Sequence, residues 1–377
     1  MENILNYVHL RSDVSFQYRA FNEVDALILS ELSYVDFDHI LGKEPMHLAS
    51  ACKQYLDRYT SEQIRQKYIF CRMLPDFIRS MVTMERYKDI QICDYESQFD
   101  EENELQFAAM TFVLPDGSLF IAYRGTDGTI TGWKENLQMT YRSHLPCQRL
   151  AKEYFKKQID GIQEQSYFFG LRKKKIYPKI YLGGHSKGGN LAMYAALENE
   201  DDASLISKVF AYDAPGFRSD IWEDLKTVET LQKITNYKPK DSIIGCVLEH
   251  REQACILEAS DSGLVQHDAF NWAIGPQGFV KATSLTNQSK EALAYVNRIL
   301  MSKSDEDKKS YIDLMFSLTD KLDIRSISDL TEIGLKQGLS GVYEVTQMSQ
   351  EERKFLFEVI YFLRMETYTM LKQMKVK

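Results

Sequence analysis

The chain has 377 residues, with 46 Lys and Arg against 54 Asp and Glu and a net charge of −8. That acidic balance, without a Lys/Arg-rich tail, argues against general nucleic-acid binding, which needs a basic footprint. Hydrophobic residues at 44% are enough for a sizeable core, while 19 Gly and 8 Pro are too few for long disordered or collagen-like stretches.

The six cysteines (Cys52, Cys71, Cys93, Cys147, Cys246, Cys255) are scattered, and no two form C-x-x-C. Neither a zinc ribbon nor a thioredoxin-like pair is indicated. The N-terminus MENILNYVHLRSDVSF lacks a basic n-region and an apolar run of signal-peptide length. The most apolar late stretch, residues 355–371, is interrupted by Glu358, Arg364 and Glu366, so it reads as a buried helix rather than a bilayer span. Reduced cysteines and no targeting signal give a cytoplasmic location as the expectation.

In chain order, the first hundred residues read mostly as helix. FNEVDALILSELSYVDFD carries Val24, Leu27, Ile28 and Leu32 at the spacing of one helix face. Residues 61–87 give similar signals, broken at Pro75. From Leu105 the period changes: LQFAAMTFV, the turn Pro115-Asp116-Gly117, then SLFIAYRG predict two strands joined by a tight turn. A helix follows at residues 147–162, then a basic loop, 172–175, read as solvated, with contact to an anionic membrane surface as its alternative use. Next come the apolar strand KIYLGG, a turn, the helix NLAMYAALENE, and further strands KVFAYDA and KITNYKP. Strands alternating with helices predict a mostly parallel α/β sheet. Beyond Lys281 the pattern is helical, with Ser304-x-x-Asp307 and Ser349-x-x-Glu352 as capping boxes.

The motif that carries chemistry is Gly184-His185-Ser186-Lys187-Gly188, a G-x-S-x-G between a predicted strand and a predicted helix. A serine on so sharp a turn projects its Oγ above the sheet, and crowding there requires glycine on both sides. The N–H of Lys187 then lies at a helix N-terminus, where it stabilises a developing oxyanion. A phosphate-binding loop competes, since Gly183 and Gly188 have its glycine spacing, but Gly189-Asn190 stands where Lys-Ser/Thr is needed.

A serine nucleophile needs a base, and the base needs an acid to orient it, in the chain order Ser, Asp/Glu, His for this type of elbow. Only His250 and His267 lie downstream of Ser186. Asp241 follows the strand KITNYKPK at the end where ligand-facing loops arise. Asp213 ends KVFAYDA and is the rival, but its Asp-Ala-Pro-Gly context reads as a turn, so Asp241 is favoured. GCVLEH and ACILEA read as a hairpin with His250 at its exposed tip. His267 follows the turn Ser260-Asp261-Ser262-Gly263 and precedes a predicted helix, DAFNWAI, which favours it as the base.

These segments resemble the class 3 (fungal-type) lipases of the α/β-hydrolase superfamily. LGGHSKGGNLAMYAAL is similar to their nucleophile elbow, LFIAYRGTDGTITGWKENL to their oxyanion-loop segment, KVFAYDAPGF to the strand after the nucleophile helix, and NYKPKDSI to the segment bearing the catalytic Asp. The likeness covers residues 105–272. The whole chain also resembles a bacterial family of lipase-like hydrolases, in which the early FNEVDALILSELSYVDFD stretch is typical. The resemblance implies that Thr126 supplies the second oxyanion donor through its N–H and its hydroxyl, that residues 128–137, with Trp133 and Asn136, lie where such lipases carry a lid helix, and that the base sits in a late loop followed by aromatics, here Phe270 and Trp272. Arg124 is read as structural, pinning the oxyanion loop. Lys187 departs from the usual apolar residue at its position, so its side chain is expected either in solvent or facing an anionic substrate group.

The resulting expectation is an α/β-hydrolase fold, a mostly parallel sheet flanked by helices with additional N- and C-terminal helices: residues 1–300 as the hydrolase domain, with helices from 1–100 packed on it, and 301–377 as a helical extension. The activity expected is hydrolysis of carboxylic esters, lipid or acyl, by Ser186, His267 and Asp241 with Thr126 and Lys187 as the oxyanion hole. No cofactor or metal is required, since no H-E-x-x-H or comparable cluster occurs and His9, His39, His47 and His144 are isolated. The partner expected is a small-molecule or lipid ester. The same triad also serves peptidases, thioesterases and acyltransferases, and the fold also serves as a binding module.

Overall fold

The computed structural model describes residues 2–67, 73–161, 164–167, 172–175, 179–224, 228–321, 349–350 and 353. The apolar stretch 355–371 and Glu352 of the last capping box lie outside them.

An eight-stranded sheet runs in strict chain order: Met46–His47, Gln91–Asp100, Leu105–Val113, Leu119–Tyr123, Ile180–His185, Ile206–Tyr212, Ile234–Pro239 and Gln253–Leu257. The first three pairings are antiparallel and the remaining four parallel. The antiparallel hairpin closes at Pro115-Asp116-Gly117, where Gly117 adopts φ 82° and donates to the carbonyl of Leu114 at 2.9 Å. The parallel strands need crossovers, which the helices Pro146–Asp160 and Lys187–Leu197 help to provide. This is an α/β-hydrolase arrangement, with the turn after Ile180–His185 at the sheet's centre.

Alternation along the strands divides the core in two. In Leu119–Tyr123, Phe120 and Ala122 face one buried cluster and Ile121 and Tyr123 the other. The second cluster is filled by Pro146–Asp160 and Lys187–Leu197. The first is filled by the N-terminal helices, among them Glu23–Leu32, in which every residue from Val24 to Leu32 is buried. The single apolar stripe expected of that helix is thus a helix enclosed on all sides. Of its two interior carboxylates, Asp25 is paired bidentately with Arg86 at 2.8 and 2.6 Å and accepts a bond from the Tyr87 hydroxyl at 2.9 Å. A buried charge persists only with such partners.

The break expected at Pro75 falls at a helix start: the region holds the helices Ser61–Lys67 and Leu74–Thr83, and Pro75 occupies the first turn of the second, where its missing N–H costs nothing. Two local expectations change. The basic run Arg172–Lys175 is a strand paired with Glu164–Tyr167. The hairpin expected around His250 is absent: Gln253–Leu257 pairs in parallel with Ile234–Pro239, and His250 is half-buried against Glu252. Towards the C-terminus, helices Asn287–Met301 and Asp305–Lys321 follow one another, and Ser304 and Asp307 form the expected reciprocal cap. The second helix is tied to the core by Arg218–Asp305 at 2.8 Å and Lys134–Asp313 at 3.5 Å.

Candidate active site

Ser186 stands between the strand Ile180–His185 and the helix Lys187–Leu197 with φ 57° and ψ −129°. A non-glycine residue there stores about 1–3 kcal/mol of strain. The turn is possible because its neighbours lack side chains. A Cβ on Gly184 would lie 2.3 Å from the carbonyl carbon of Gly188, and one on Gly188 would lie 2.1 Å from the carbonyl oxygen of Tyr123. The strand–turn–helix context expected of the motif is present, and Ser186 caps the helix whose first N–H belongs to Lys187.

The Lys187 side chain lies neither in solvent nor toward a ligand. It is 1% exposed, and Nζ donates to the carbonyl and the Oε1 of Gln106, both at 2.8 Å, and to Oε2 of Glu135 at 2.6 Å. Three donors thus meet three acceptors. Glu135 belongs to the helix Ile130–Gln138, which stands where the resemblance puts a lid, and it offsets the cation that is unfavourable in a helix's first turn.

The acid is where the structure departs most from expectation. Nδ1 of His267 donates to Oδ2 of Asp213 at 2.6 Å, so the pairing expected with Asp241 is replaced by one with the rival carboxylate. Register explains it. His185 is paired with Tyr212 on the adjacent parallel strand, so Ser186 and Asp213, each one step beyond, leave the sheet at the same level. Asp213 is 1% exposed, has φ 45°, and accepts from the Ser242 hydroxyl at 2.5 Å. Its carboxylate fits only beside glycine, since a Cβ on Gly245 would lie 2.2 Å from Oδ1. The Asp-Ala-Pro-Gly context that read as a turn is not a hydrogen-bonded turn: the backbone bends at Asp213, and the Gly216 N–H donates to the carbonyl of Val247 at 2.9 Å.

Asp241 lies one strand farther out and holds the His267 loop instead. Its N–H donates to Oε1 of Gln266 at 2.9 Å, Nε2 of Gln266 donates back to its Oδ2 at 3.2 Å, and the Thr286 hydroxyl donates to Oδ1. His267 ends the short 3-10 turn Gly263–His267, and the helix expected after it is a further 3-10 turn, Ala269–Asn271. Its side chain is 26% exposed. His250 points away, with Nδ1 2.6 Å from Glu252.

On the opposite side, the loop 124–129 follows the strand Leu119–Tyr123. The hydroxyl of Thr126 is buried without a hydrogen-bond partner among the described residues, an arrangement that costs free energy unless a ligand oxygen is to be met there. Arg124 is anchored through its backbone N–H to the carbonyl of Ala108 at 2.9 Å, while its Nε has no hydrogen-bond partner among the described residues. Among the described residues no three or more His, Cys, Asp or Glu are grouped to hold a metal ion, and no helix is long and apolar enough to cross a membrane.

With this geometry in view, residues 81–317 match the Mbeg1-like family. The chain belongs to that family. Among solved structures, the Mbeg1-like chain is similar to lipase II from Rhizopus niveus (TM-score 0.36, 12% identity, 62% of this chain and 84% of that one). It is also similar to M37 lipase (TM-score 0.32, 17% identity, 60% and 70%) and to Rhizomucor miehei triacylglyceride lipase (TM-score 0.30, 13% identity, 54% and 80%). No curated protein matches it in sequence.

Proposed function

We propose that this protein is a serine hydrolase of carboxylic esters, lipid or acyl, working through Ser186, His267 and Asp213 and an acyl-enzyme. The observation that carries the reading is the 2.6 Å contact of His267 Nδ1 with Asp213, which rises from the strand next to the one that ends at Ser186.

In this mechanism Asp213 fixes the tautomer of His267 with the proton on Nδ1, leaving Nε2 free to accept. Nε2 takes the Ser186 hydroxyl proton as Oγ attacks the ester carbonyl, and the new C–O bond pushes the carbonyl electron pair onto oxygen. The N–H of Lys187 and the Thr126 N–H and hydroxyl receive that oxyanion. The otherwise unpartnered Thr126 hydroxyl supports this role. Collapse expels the alcohol, protonated by His267, and water repeats the sequence to release the acid. Because Lys187 is engaged with Gln106 and Glu135, its side chain is not offered to an anionic head group, which supports neutral esters as substrates.

An active-site fluorophosphonate tests the proposal. Covalent labelling of the wild type that disappears in Ser186→Ala supports it, and absence of labelling in the folded wild type would refute it. A panel of p-nitrophenyl esters of graded chain length then defines the acyl group.

A further inference from the structure

We propose that Tyr34 and Glu31, contributed by the N-terminal helical segment, are positioning residues for the catalytic base, acting through His185. This rests on the hydrolase reading above for its kinetic consequence, though not for its geometry.

Nε2 of His185 lies 2.8 Å from the backbone carbonyl of His267. A carbonyl only accepts, so Nε2 carries a hydrogen. The residue that precedes the nucleophile therefore grips the backbone of the base, and its ring lies against the ring of His267 with centroids 4.7 Å apart. The other nitrogen, Nδ1, faces the N-terminal segment: Oη of Tyr34 and Oε1 of Glu31 each stand 3.3 Å away. Both His185 and Glu31 are nearly enclosed, with side chains 8% and 6% exposed.

The electrostatics of the enclosure agree with the geometry. Burial, reinforced by His267 and opposed by Asp213, holds His185 down to about 3. Burial and the nearby Asp268 hold the Glu31 carboxyl well above the usual carboxylate range. Asp268 is itself pushed up to about 7 by burial. Two neutral groups in contact avoid the desolvation cost of a buried ion pair. A neutral His185 with hydrogen on Nε2 has a lone pair on Nδ1, and this needs a donor. Two donors are within reach: the Tyr34 hydroxyl, which also reaches the His185 carbonyl at 3.4 Å, and the O–H of an un-ionised Glu31, whose Oε1 has no hydrogen-bond partner among the described residues. Tyr34 reaches the oxyanion loop as well, since a Cβ on Gly125 would lie 2.0 Å from its hydroxyl and 2.6 Å from the His185 carbonyl. One N-terminal tyrosine thus braces the residue before the nucleophile and the loop that carries Thr126.

The test uses the full chain with 15N-labelled histidine in the Ser186→Ala background. His185 is expected as the neutral Nε2–H tautomer throughout pH 5–8. Titration of His185 in that range, or an Nδ1–H tautomer, would overturn the proposal whether or not the protein hydrolyses esters. In the Ser186 protein, Tyr34→Phe and His185→Phe are expected to slow fluorophosphonate labelling and ester kcat by about 10- to 100-fold with KM little changed, since a misplaced base costs rate rather than binding. His185→Gln, whose amide N–H still reaches the His267 carbonyl, is expected to restore part of the rate. Unchanged rates in folded Tyr34→Phe and His185→Phe would also overturn it. Absence of labelling in the wild type would instead remove the hydrolase reading, and the imidazole spectra alone would then decide the geometry.

Discussion

Lys187 and Glu135 form an ion pair 2.6 Å long with side chains 1% and 0% exposed, joining the nucleophile turn to the helix Ile130–Gln138. The residue proposed to supply the oxyanion N–H is therefore anchored, by its own side chain, to the element that stands in the place of a lid. Removing one partner of such a pair leaves a bare charge in the interior and costs about 3–5 kcal/mol. Lys187→Met is expected to lower unfolding free energy by about that much, measured by denaturant titration, and the double change Lys187→Met/Glu135→Leu to recover most of it. The same pair opposes lid-like swinging, so the rate with a soluble short-chain ester is expected to show no jump as the ester passes its solubility limit.

The two carboxylates near the base are expected to separate cleanly. Asp213→Asn leaves the shape but allows His267 the wrong tautomer, and should lower kcat by roughly 10⁴-fold, the loss seen when a triad aspartate is so changed. Asp241→Asn keeps one acceptor oxygen, enough for Thr286 or Gln266 but not both, and leaves the Asp213–His267 contact in place, so it should lower kcat by no more than about tenfold. Steady-state ester kinetics on both variants decide the assignment, and the reverse ranking would return the acid to Asp241.

His267→Ala should lower kcat by several orders of magnitude with an unchanged circular dichroism spectrum, because general-base assistance works only within about 2.6–3.2 Å. His250→Ala should leave kcat nearly unchanged, since His250 bonds to Glu252 rather than to any member of the triad.

Glu252 gives a pH prediction. Burial alone would raise its carboxyl, but the hydrogen bond and charge of His250 and the charge of Lys238 bring it from the usual 4.5 down to about 2. A carboxyl lowered on folding stabilises the fold above its unfolded value and loses that stabilisation as pH falls through the folded one. The window is therefore pH 4.5 to 2, and the contribution lost is on the order of 3 kcal/mol. Denaturation midpoints measured across that window should fall less steeply for Glu252→Gln than for the wild type.

Ser186, its flanking glycines and the alternation of strands and helices were legible in the sequence because they depend on neighbours within a few residues. The turn needs Gly184 and Gly188 wherever the rest of the chain goes, and the hairpin at Pro115-Asp116-Gly117 needs only its own few residues. His267 was reachable by elimination between two candidates. The choice of Asp213 over Asp241 was not legible, because both follow apolar strands and the deciding fact is which strand lies beside Ile180–His185 and in what register. The Asp-Ala-Pro-Gly composition pointed the wrong way, since its residues bond to distant strands and loops, Gly216 to Val247 and Ala214 to Asn236, rather than closing a local turn.

Lys187 shows the same division. Its position in a helix's first turn follows from sequence, and a lone cation there belongs in solvent. Only the fold brings Gln106, 81 residues upstream, and Glu135, 52 residues upstream, to meet its three donors. The N-terminal contribution of Glu31 and Tyr34 is also tertiary, reaching His185 across more than 150 positions. Short-range sterics and hydrophobic periodicity write the elements and the nucleophile into the chain. Charge pairing and desolvation act across the folded interior, and they alone settle which acid faces the base and which side chains hold it there.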